Sequence, residues 1–340
     1  MTVIAALGHN GTGSIVRVLY IVTIAAEFAL GSGFSARSQK GGSSRWISAQ
    51  EKMQLLRRRN SYAALLVART WALIFLLLLA AGYFPNLLTI ALVFVLLPGR
   101  QLSLAVLMHE AGHGTLFSSA GANRWVGQWL CALPTLGNLS SYAEGHLQHH
   151  RLAGTVNDPD LPNYVAYPLS RTSLRRKITR DLTGQTGLKL LVSLARGGAG
   201  NMELGSSSSR TLLLKQLMVQ VVLFLLLSLA GVGWTWWLWF ATFMTTYMLI
   251  IRLRQIAEHA AVPNLYDPDP RNNTRTVDAP RWQRFLIAPS FVNYHLEHHL
   301  IPGVPCYHLP ALRSLLKQRG FFDGTSECGG YQQLLAHVIV

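Results

Sequence analysis

The residues of this chain whose types and spacing suggest chemistry are histidines that recur on one helix face. HLEHH carries imidazoles at positions i, i+3 and i+4, HLQHH repeats that pattern, and HEAGH carries two at i and i+4. On a helix, side chains three and four positions apart project from the same face. Nine of the twelve histidines lie in these three motifs or in the separate sequence RQIAEHA, namely His109, His113, His146, His149, His150, His259, His295, His298 and His299.

Imidazoles grouped in this way predict a metal centre. Neutral imidazole is a ligand for Zn, Cu, Fe and Ni. Packed neutral imidazoles also need partners, which the leucine and isoleucine side chains beside them cannot supply. Nine ligands exceed the positions around one ion, which number about four to six in such sites. The sequence therefore predicts two metal ions.

Two kinds of metal chemistry fit this pattern, one of them only in part. The pentapeptide HEAGH, residues 109–113, matches the HEXXH sequence of zinc proteases and would indicate a membrane zinc hydrolase. That hypothesis leaves HLQHH and HLEHH without a role. Two redox-active irons would use all nine imidazoles, and with O₂ and external electrons they can remove hydrogen from an unactivated CH₂ group. A non-enzymatic membrane scaffold, the third hypothesis, has no structural use for nine aligned imidazoles.

The composition indicates a membrane protein. Of the 340 residues, 50% are hydrophobic and only 13% are charged, whereas soluble domains have about 25% charged residues. The net charge is +15, but no nucleic-acid motif is visible and the apolar runs are too long for a nucleic-acid-binding domain. The basic residues are instead expected to face anionic lipid head groups. Three cysteines without a CxxC motif suit a reducing compartment.

Two long uncharged stretches predict two transmembrane hairpins. Residues 70–99 carry no charge and are interrupted at Gly82–Pro85. A single helix of that length would reach about 45 Å, which exceeds a hydrocarbon core of about 30 Å. Residues 216–251 repeat the arrangement, with a break at residues 231–233 followed by a cluster of tryptophans typical of a membrane interface. Each stretch is therefore predicted to form two helices joined by a short turn.

The distribution of charge then predicts the topology. Two hairpins place residues 35–69, 100–215 and 252–340 on one side, together with nearly all lysines and arginines and every spaced histidine. The positive-inside rule assigns that side to the cytoplasm. The predicted fold class is therefore all-α integral membrane, with four transmembrane helices in two hairpins and a cytosolic helical cap that holds the histidine motifs. The expected location is a bacterial inner membrane or its equivalent.

Three stretches outside the spans have weaker signals. Residues 1–44 are predicted to be a poorly ordered or surface-lying extension that precedes one domain of residues 45–340. Pro134 and Gly137 interrupt the apolar residues 125–139, which predicts a segment lying along the interface. The basic residues 170–210 are predicted to include helices on the cytoplasmic surface.

The motifs HEAGH, HLQHH and HLEHH together resemble those of the membrane fatty acid desaturase superfamily, and the resemblance covers residues 45–319. It implies a di-iron centre with all nine histidines as ligands, O₂ as co-substrate, and a lipid or acyl substrate. No haem-binding domain is fused, so the electrons are expected from a separate ferredoxin, rubredoxin or cytochrome. Similar proteins have an asparagine that joins the site through a water four residues before the equivalent of His259, where this chain has Gln255. The expected reaction is introduction of a double bond, and the alternative is hydroxylation of a fatty acyl, carotenoid or sphingoid chain.

Acidic residues beside the motifs are candidates to support the ligands. A metal-binding histidine usually donates its second N–H to a carboxylate or a carbonyl. Carboxylates close to the histidines in sequence are therefore expected to orient them. The candidates are Glu110, Glu144, Asp158, Asp160, Glu258 and Glu297.

Overall fold

The computed structural model describes residues 45–196, 210–325 and 327–340, and this part of the chain is helical, with two isolated bridges and no strand. The predicted extension, residues 1–44, lies outside the described residues. The α-helices are α1 (Ala49–Leu55), α2 (Asn60–Tyr83), α3 (Leu87–Gly112), α4 (Ala120–Val126), α5 (Leu139–Leu152), α6 (Leu161–Tyr164), α7 (Arg171–Leu182), α8 (Gln185–Ala195), α9 (Arg210–Leu229), α10 (Trp236–Met244), α11 (Thr246–His259), α12 (Pro270–Asn273), α13 (Arg281–Leu286), α14 (His295–Leu300), α15 (Leu309–Gln318) and α16 (Tyr331–His337). Short 3-10 turns lie at Leu133–Thr135, Gly233–Thr235, Pro289–Phe291 and Cys306–His308.

Three of the described helices, α2, α3 and α9, are long and apolar enough to cross a membrane. The first hairpin forms as predicted, with a turn between Tyr83 and Leu87. Asn86 caps α3, because its side chain accepts a hydrogen bond from the Thr89 N–H at 3.1 Å while the Thr89 hydroxyl accepts from the Asn86 N–H at 3.2 Å. Helix α3 has 26 residues, which at 1.5 Å per residue gives about 39 Å. It can therefore cross the hydrocarbon core and still extend beyond it.

The second hairpin differs from the prediction in its returning arm. The break after α9 occurs as expected, at residues 230–232, but the chain that follows is divided again at Thr245 into α10, of 9 residues, and α11, of 14 residues. Neither half is long enough to span alone. The described structure thus confirms three helices that are long enough to span on their own, while the predicted fourth span is not confirmed as a single helix, because an uninterrupted apolar run does not reveal where a helix breaks.

The stretch predicted to lie along the interface is instead largely buried. A π-helical turn at Gly127–Ala132 leads into the 3-10 turn, and residues 131–135 are all buried. Two glutamines of the spanning helix α9 satisfy carbonyl groups that this irregular backbone leaves free. Gln220 donates to the Pro134 carbonyl at 2.9 Å and Gln216 donates to the Leu136 carbonyl at 2.6 Å. Irregular backbone is tolerated beside a membrane helix when protein groups pair with it in this way.

The predicted surface helices are present as α7 and α8. The inner face of α8 packs against the spanning helices, since Leu190 and Leu194 share a buried apolar cluster with Leu102 and Val106 of α3. Gly187 permits this close approach, because a Cβ at that position would lie 2.6 Å from the Met244 carbonyl oxygen. The end of α3 is thereby held between the spanning helices and the α7–α8 pair.

Candidate metal centre

The nine predicted ligands converge from four separate segments. His109 lies near the end of α3 and His113 caps that helix, α5 carries three histidines, α11 ends at His259, and α14 contributes three more. Two groups of four offer ligand atoms that all lie within 4.8 Å of one another, and each group could hold a metal ion. One group is His109, His113, His146 and His298, and the other is His149, His259, His295 and His299.

The i, i+3, i+4 spacing distributes each motif between both groups. In α5, His146 belongs to the first group and His149 to the second. The remaining imidazole of that helix, His150, lies between the groups. Its Nε2 is 2.9 Å from Nε2 of both His146 and His298, and its ring centroid is 4.3 Å from that of His299.

Four imidazoles contact an outer partner through Nδ1 and direct Nε2 inward. The Nδ1 of His109 lies 2.8 Å from the Tyr142 hydroxyl. The Nδ1 of His149 is 2.8 Å from Asp158 Oδ1, and that of His295 is 3.4 Å from Glu258 Oε1. The Nδ1 of His259 lies 2.8 Å from the Asn273 carbonyl oxygen. Partners of this kind fix the tautomer and the ring orientation of a metal-binding histidine.

These contacts leave lone pairs facing each other. A carbonyl oxygen only accepts hydrogen bonds, so Nδ1 must be the donor in His259, and the Glu258 carboxylate oxygen 3.4 Å from His295 Nδ1 favours a proton on that atom as well. A neutral imidazole has one N–H, and the Nε2 atoms of these two residues therefore carry lone pairs, although they are only 3.0 Å apart. Two lone pairs at that distance repel unless a cation lies between them. The arrangement fits a bound metal ion.

The first group has an orphaned atom of its own. The Nε2 of His113 is buried and has no hydrogen-bond partner within the described chain. Its ring lies among three other imidazoles, with centroids 4.8–5.0 Å from those of His109, His146 and His298. A buried polar atom without a partner is costly. A metal ion at this group would satisfy it.

The protonation of the imidazoles also suits metal binding, because the ligating form is neutral. Burial, followed by the charge of neighbouring imidazoles, lowers the pKa of His146, His150, His295 and His299 well below the ordinary histidine value. His149 differs: burial opposes its charged form, but the hydrogen bond and the charge of Asp158 outweigh burial and raise its pKa. A bound metal would have to displace any proton from its Nε2.

Three of the six predicted supporting carboxylates reach an imidazole. Asp158 and Glu258 contact His149 and His295 as described above, and Asp160 Oδ2 is 3.7 Å from His149 Nδ1. Gln255 lines a partly open pocket beside the second group, together with His149, His259 and His295.

The other three carboxylates make their hydrogen bonds elsewhere or face solvent, although Glu110 Oε1 lies 3.9 Å from His109 Nε2. Glu110 accepts hydrogen bonds from the Thr115 hydroxyl at 2.7 Å and the Cys306 N–H at 2.9 Å. Glu297 pairs with Arg313 and with the Thr276 hydroxyl. Glu144 is exposed, so the prediction that it supports a ligand needs correction. It lies two residues before His146, which places it on nearly the opposite face of the helix.

Sequence reasoning missed several residues that the structure places around the imidazoles. Tyr164 stacks on the His259 ring, with centroids 4.9 Å apart, and donates a hydrogen bond to Asp158. The Asn273 carbonyl lies at the end of the short helix α12, 14 residues after its partner His259. Of these residues, Tyr142 could have been identified from the sequence. It precedes His146 by four residues on the same helix, so the two side chains lie on the same face.

Apolar spanning helices whose extensions bring histidines together in two adjacent groups define an integral membrane protein with a site suited to two metal ions. The sequence profile of a family described as fatty acid desaturase matches residues 85–322. The chain therefore belongs to the fatty acid desaturase family, as the histidine motifs predicted. It is also similar to the dihydrorhizobitoxine desaturase of Bradyrhizobium elkanii, at 24% identity over 320 residues that cover 87% of this chain and 86% of that protein. Both comparisons indicate an oxidoreductase.

Proposed function

We propose that this protein is an O₂-dependent di-iron oxidoreductase that introduces a double bond into a fatty acyl chain of a lipid or an acyl thioester. The observation that carries the proposal is the pair of imidazole groups, with no carboxylate among the atoms of either group. In the balanced reaction, a CH₂–CH₂ unit loses two hydrogens, O₂ is reduced to two waters, and an external donor supplies two electrons with two protons from solvent.

The residues of the chain would hold and orient the two irons. His109, His113, His146 and His298 would bind one ion, and His149, His259, His295 and His299 the other, with His150 between them. When bound, the irons supply the activation of O₂ and the removal of hydrogen from an unactivated CH₂ group. Tyr142, Asp158, Glu258 and the Asn273 carbonyl hold the imidazole rings in place through Nδ1. Burial of most of these rings limits the access of water to the reacting atoms.

We propose further that the site faces the cytoplasm. The turns at residues 84–86 and 230–235 contain no lysine or arginine, whereas the histidine-bearing side is rich in both. The electron donor would then be a separate soluble or membrane-bound carrier, such as a ferredoxin, rubredoxin or cytochrome. The alternative outcome is hydroxylation of a fatty acyl, carotenoid or sphingoid chain, because both reactions begin with the same hydrogen removal.

Lipid profiling tests the proposal. A host that expresses the chain together with an electron donor is expected to accumulate unsaturated acyl chains that are absent when the His298→Ala variant is expressed. Products that carry a new hydroxyl group would favour the alternative reaction. The result is decisive when the purified protein holds two irons per chain and is reduced by the donor. An unchanged lipid profile from such protein would refute the proposal that it acts on the acyl chains of the host.

Substitution of Glu110 by glutamine separates the oxidase from a zinc hydrolase. In a hydrolase built on HEAGH this carboxylate is the general base, and its loss abolishes activity. Here it holds Thr115 and the Cys306 N–H, so the Glu110→Gln variant is expected to keep its metal content and most of its oxidase activity. Metal analysis and product assay of the same preparation check this. A variant that retains metal but has lost all activity would instead favour a catalytic role for the carboxylate.

A further inference from the structure

The α7–α8 pair, called here the basic hairpin, is a surface that the proposed reaction does not use. Helix α7 carries five basic side chains and one acidic residue, Asp181. Asp181 is buried, pairs with Arg252 of α11, and accepts a hydrogen bond from the Thr186 hydroxyl at 2.6 Å. The exposed charge of the helix is therefore positive, and it comes from Arg171, Arg175 and Arg176, with Lys177 and Arg180 partly exposed.

The same hairpin exposes apolar side chains. Leu182, the last residue of α7, is 44% exposed, and Leu188 and Val192 of α8 are 58% and 38% exposed. Leu188 and Val192 are four residues apart and so lie on one face of the helix. Basic residues combined with exposed aliphatic residues are the pattern of a helix that lies in a membrane interface.

The position of α8 along the spanning helices agrees with this. Its Leu190 and Leu194 belong to one buried cluster with Leu102 and Val106 of α3. Those two residues follow the start of α3 by 15 and 19 positions, or about 23 and 29 Å at 1.5 Å per residue. A hydrocarbon core is about 30 Å thick, so α8 packs where α3 leaves it.

We propose that the basic hairpin is a binding surface for anionic phospholipid, in which the α7 basic side chains contact head groups and Leu182, Leu188 and Val192 enter the acyl region. The proposal depends on the membrane placement of α3 and not on the reaction catalysed. An acidic protein partner would match the charge, but it would leave the exposed aliphatic side chains of α8 without a function. A lipid surface matches both features.

Depth-dependent quenching tests the apolar part. The three native cysteines are buried, so a polarity-sensitive dye can be attached to a single exposed cysteine introduced as Val192→Cys. The matched control is Tyr266→Cys, which lies beyond the end of α11 and is 50% exposed in the native residue. In vesicles of equal parts phosphatidylcholine and phosphatidylglycerol, brominated acyl chains are expected to quench the dye at 192 strongly and the dye at 266 little. Equal, weak quenching at both positions would overturn the proposal.

Charge removal tests the head-group part. Spin-labelled phosphatidylglycerol is expected to associate with the full chain more tightly than spin-labelled phosphatidylcholine, and less so at high salt. The double substitution Arg175→Gln with Arg176→Gln should reduce the preference for phosphatidylglycerol severalfold. Each positive charge removed should lower that preference by at most about fivefold. A control variant with Arg281→Gln and Lys317→Gln removes two positive charges elsewhere on the surface. This control should keep the native preference for phosphatidylglycerol.

The variant with Arg175→Gln and Arg176→Gln also distinguishes lipid binding from the binding of an acidic protein partner. If it keeps its lipid preference but is no longer reduced by an acidic electron-transfer protein, the surface binds protein and the lipid proposal is wrong. If it loses the lipid preference while the rate of reduction is unchanged, the proposal stands.

Discussion

Replacing Arg313 with methionine is expected to lower the free energy of unfolding by about 3–5 kcal/mol, the usual cost of breaking a buried ion pair from one side. The Arg313 guanidinium is 2.8 Å from Glu297 Oε1 and 2.5 Å from Asp278 Oδ2. It also packs over the Phe322 ring, at 4.5 Å from the centroid. Asp278 is partly exposed and can turn to water, but Glu297 is fully buried. The substitution therefore leaves an uncompensated carboxylate within α14, between His295 and His298.

The pH dependence of this loss has a defined sign. Burial raises the pKa of Glu297, and the charge of Arg313 opposes that rise. Without Arg313 the pKa rises further, so the folded variant binds a proton that the unfolded chain releases at neutral pH. A carboxyl group whose pKa is raised on folding costs stability above its unfolded pKa. The stability difference between the variant and the native chain is thus expected to shrink as the pH falls toward the ordinary value for glutamate.

A second substitution separates charge from packing. Adding Glu297→Gln to Arg313→Met removes the unpaired buried charge, so the double variant should be more stable than Arg313→Met alone. The stability of Arg313→Lys should lie between those of Arg313→Met and the native protein. Denaturant unfolding in detergent, followed by tryptophan fluorescence, measures all four. Arg313→Met with native stability, or a double variant no better than the single one, would contradict the proposed role of the pair.

The sequence was most informative where structure is local. The i, i+3, i+4 spacing of His295, His298 and His299 is a property of one helix, and uncharged runs ended by arginines predicted the first hairpin correctly. The division at Thr245 and the π-helical turn at Gly127–Ala132 were not predictable in this way. Both depend on packing against neighbouring helices, and a hydrophobic pattern does not record that packing.

The residues that orient the histidines are also hard to predict from the sequence, because their contacts depend on the fold. All six candidate carboxylates were selected for closeness in sequence, yet Glu110 and Glu297 serve to join segments far apart in the chain. Helix geometry explains why Glu144 does not contact a ligand. On a helix, a side chain two positions from a ligand points away from it. The acceptor for His259 is a backbone carbonyl, and every residue has one, so no residue type could have identified it.

Replacing Asp158 with asparagine is expected to weaken metal binding by about 10–100-fold, the usual effect of removing a carboxylate that orients a ligating histidine. Asp158 accepts hydrogen bonds from His149 Nδ1, the Asp160 N–H and the Tyr164 hydroxyl. The amide keeps the shape but loses the charge and one acceptor oxygen. His149 belongs to the second group of imidazoles only, so the loss should affect one metal ion of the two.

Competition between the protein and a chromophoric chelator for Fe²⁺, without oxygen, measures both affinities, and elemental analysis then counts the ions retained per chain. Asp160→Asn is the matched control, because its carboxylate is 3.7 Å from the same imidazole nitrogen and also partly buried. At that distance a hydrogen bond is not formed, so its effect should be much smaller than that of Asp158→Asn. If both substitutions reduced affinity equally, charge near His149 and not the direction of its N–H would control the ion. If Asp158→Asn removed both ions together, the two imidazole groups would bind metal as a single cooperative unit.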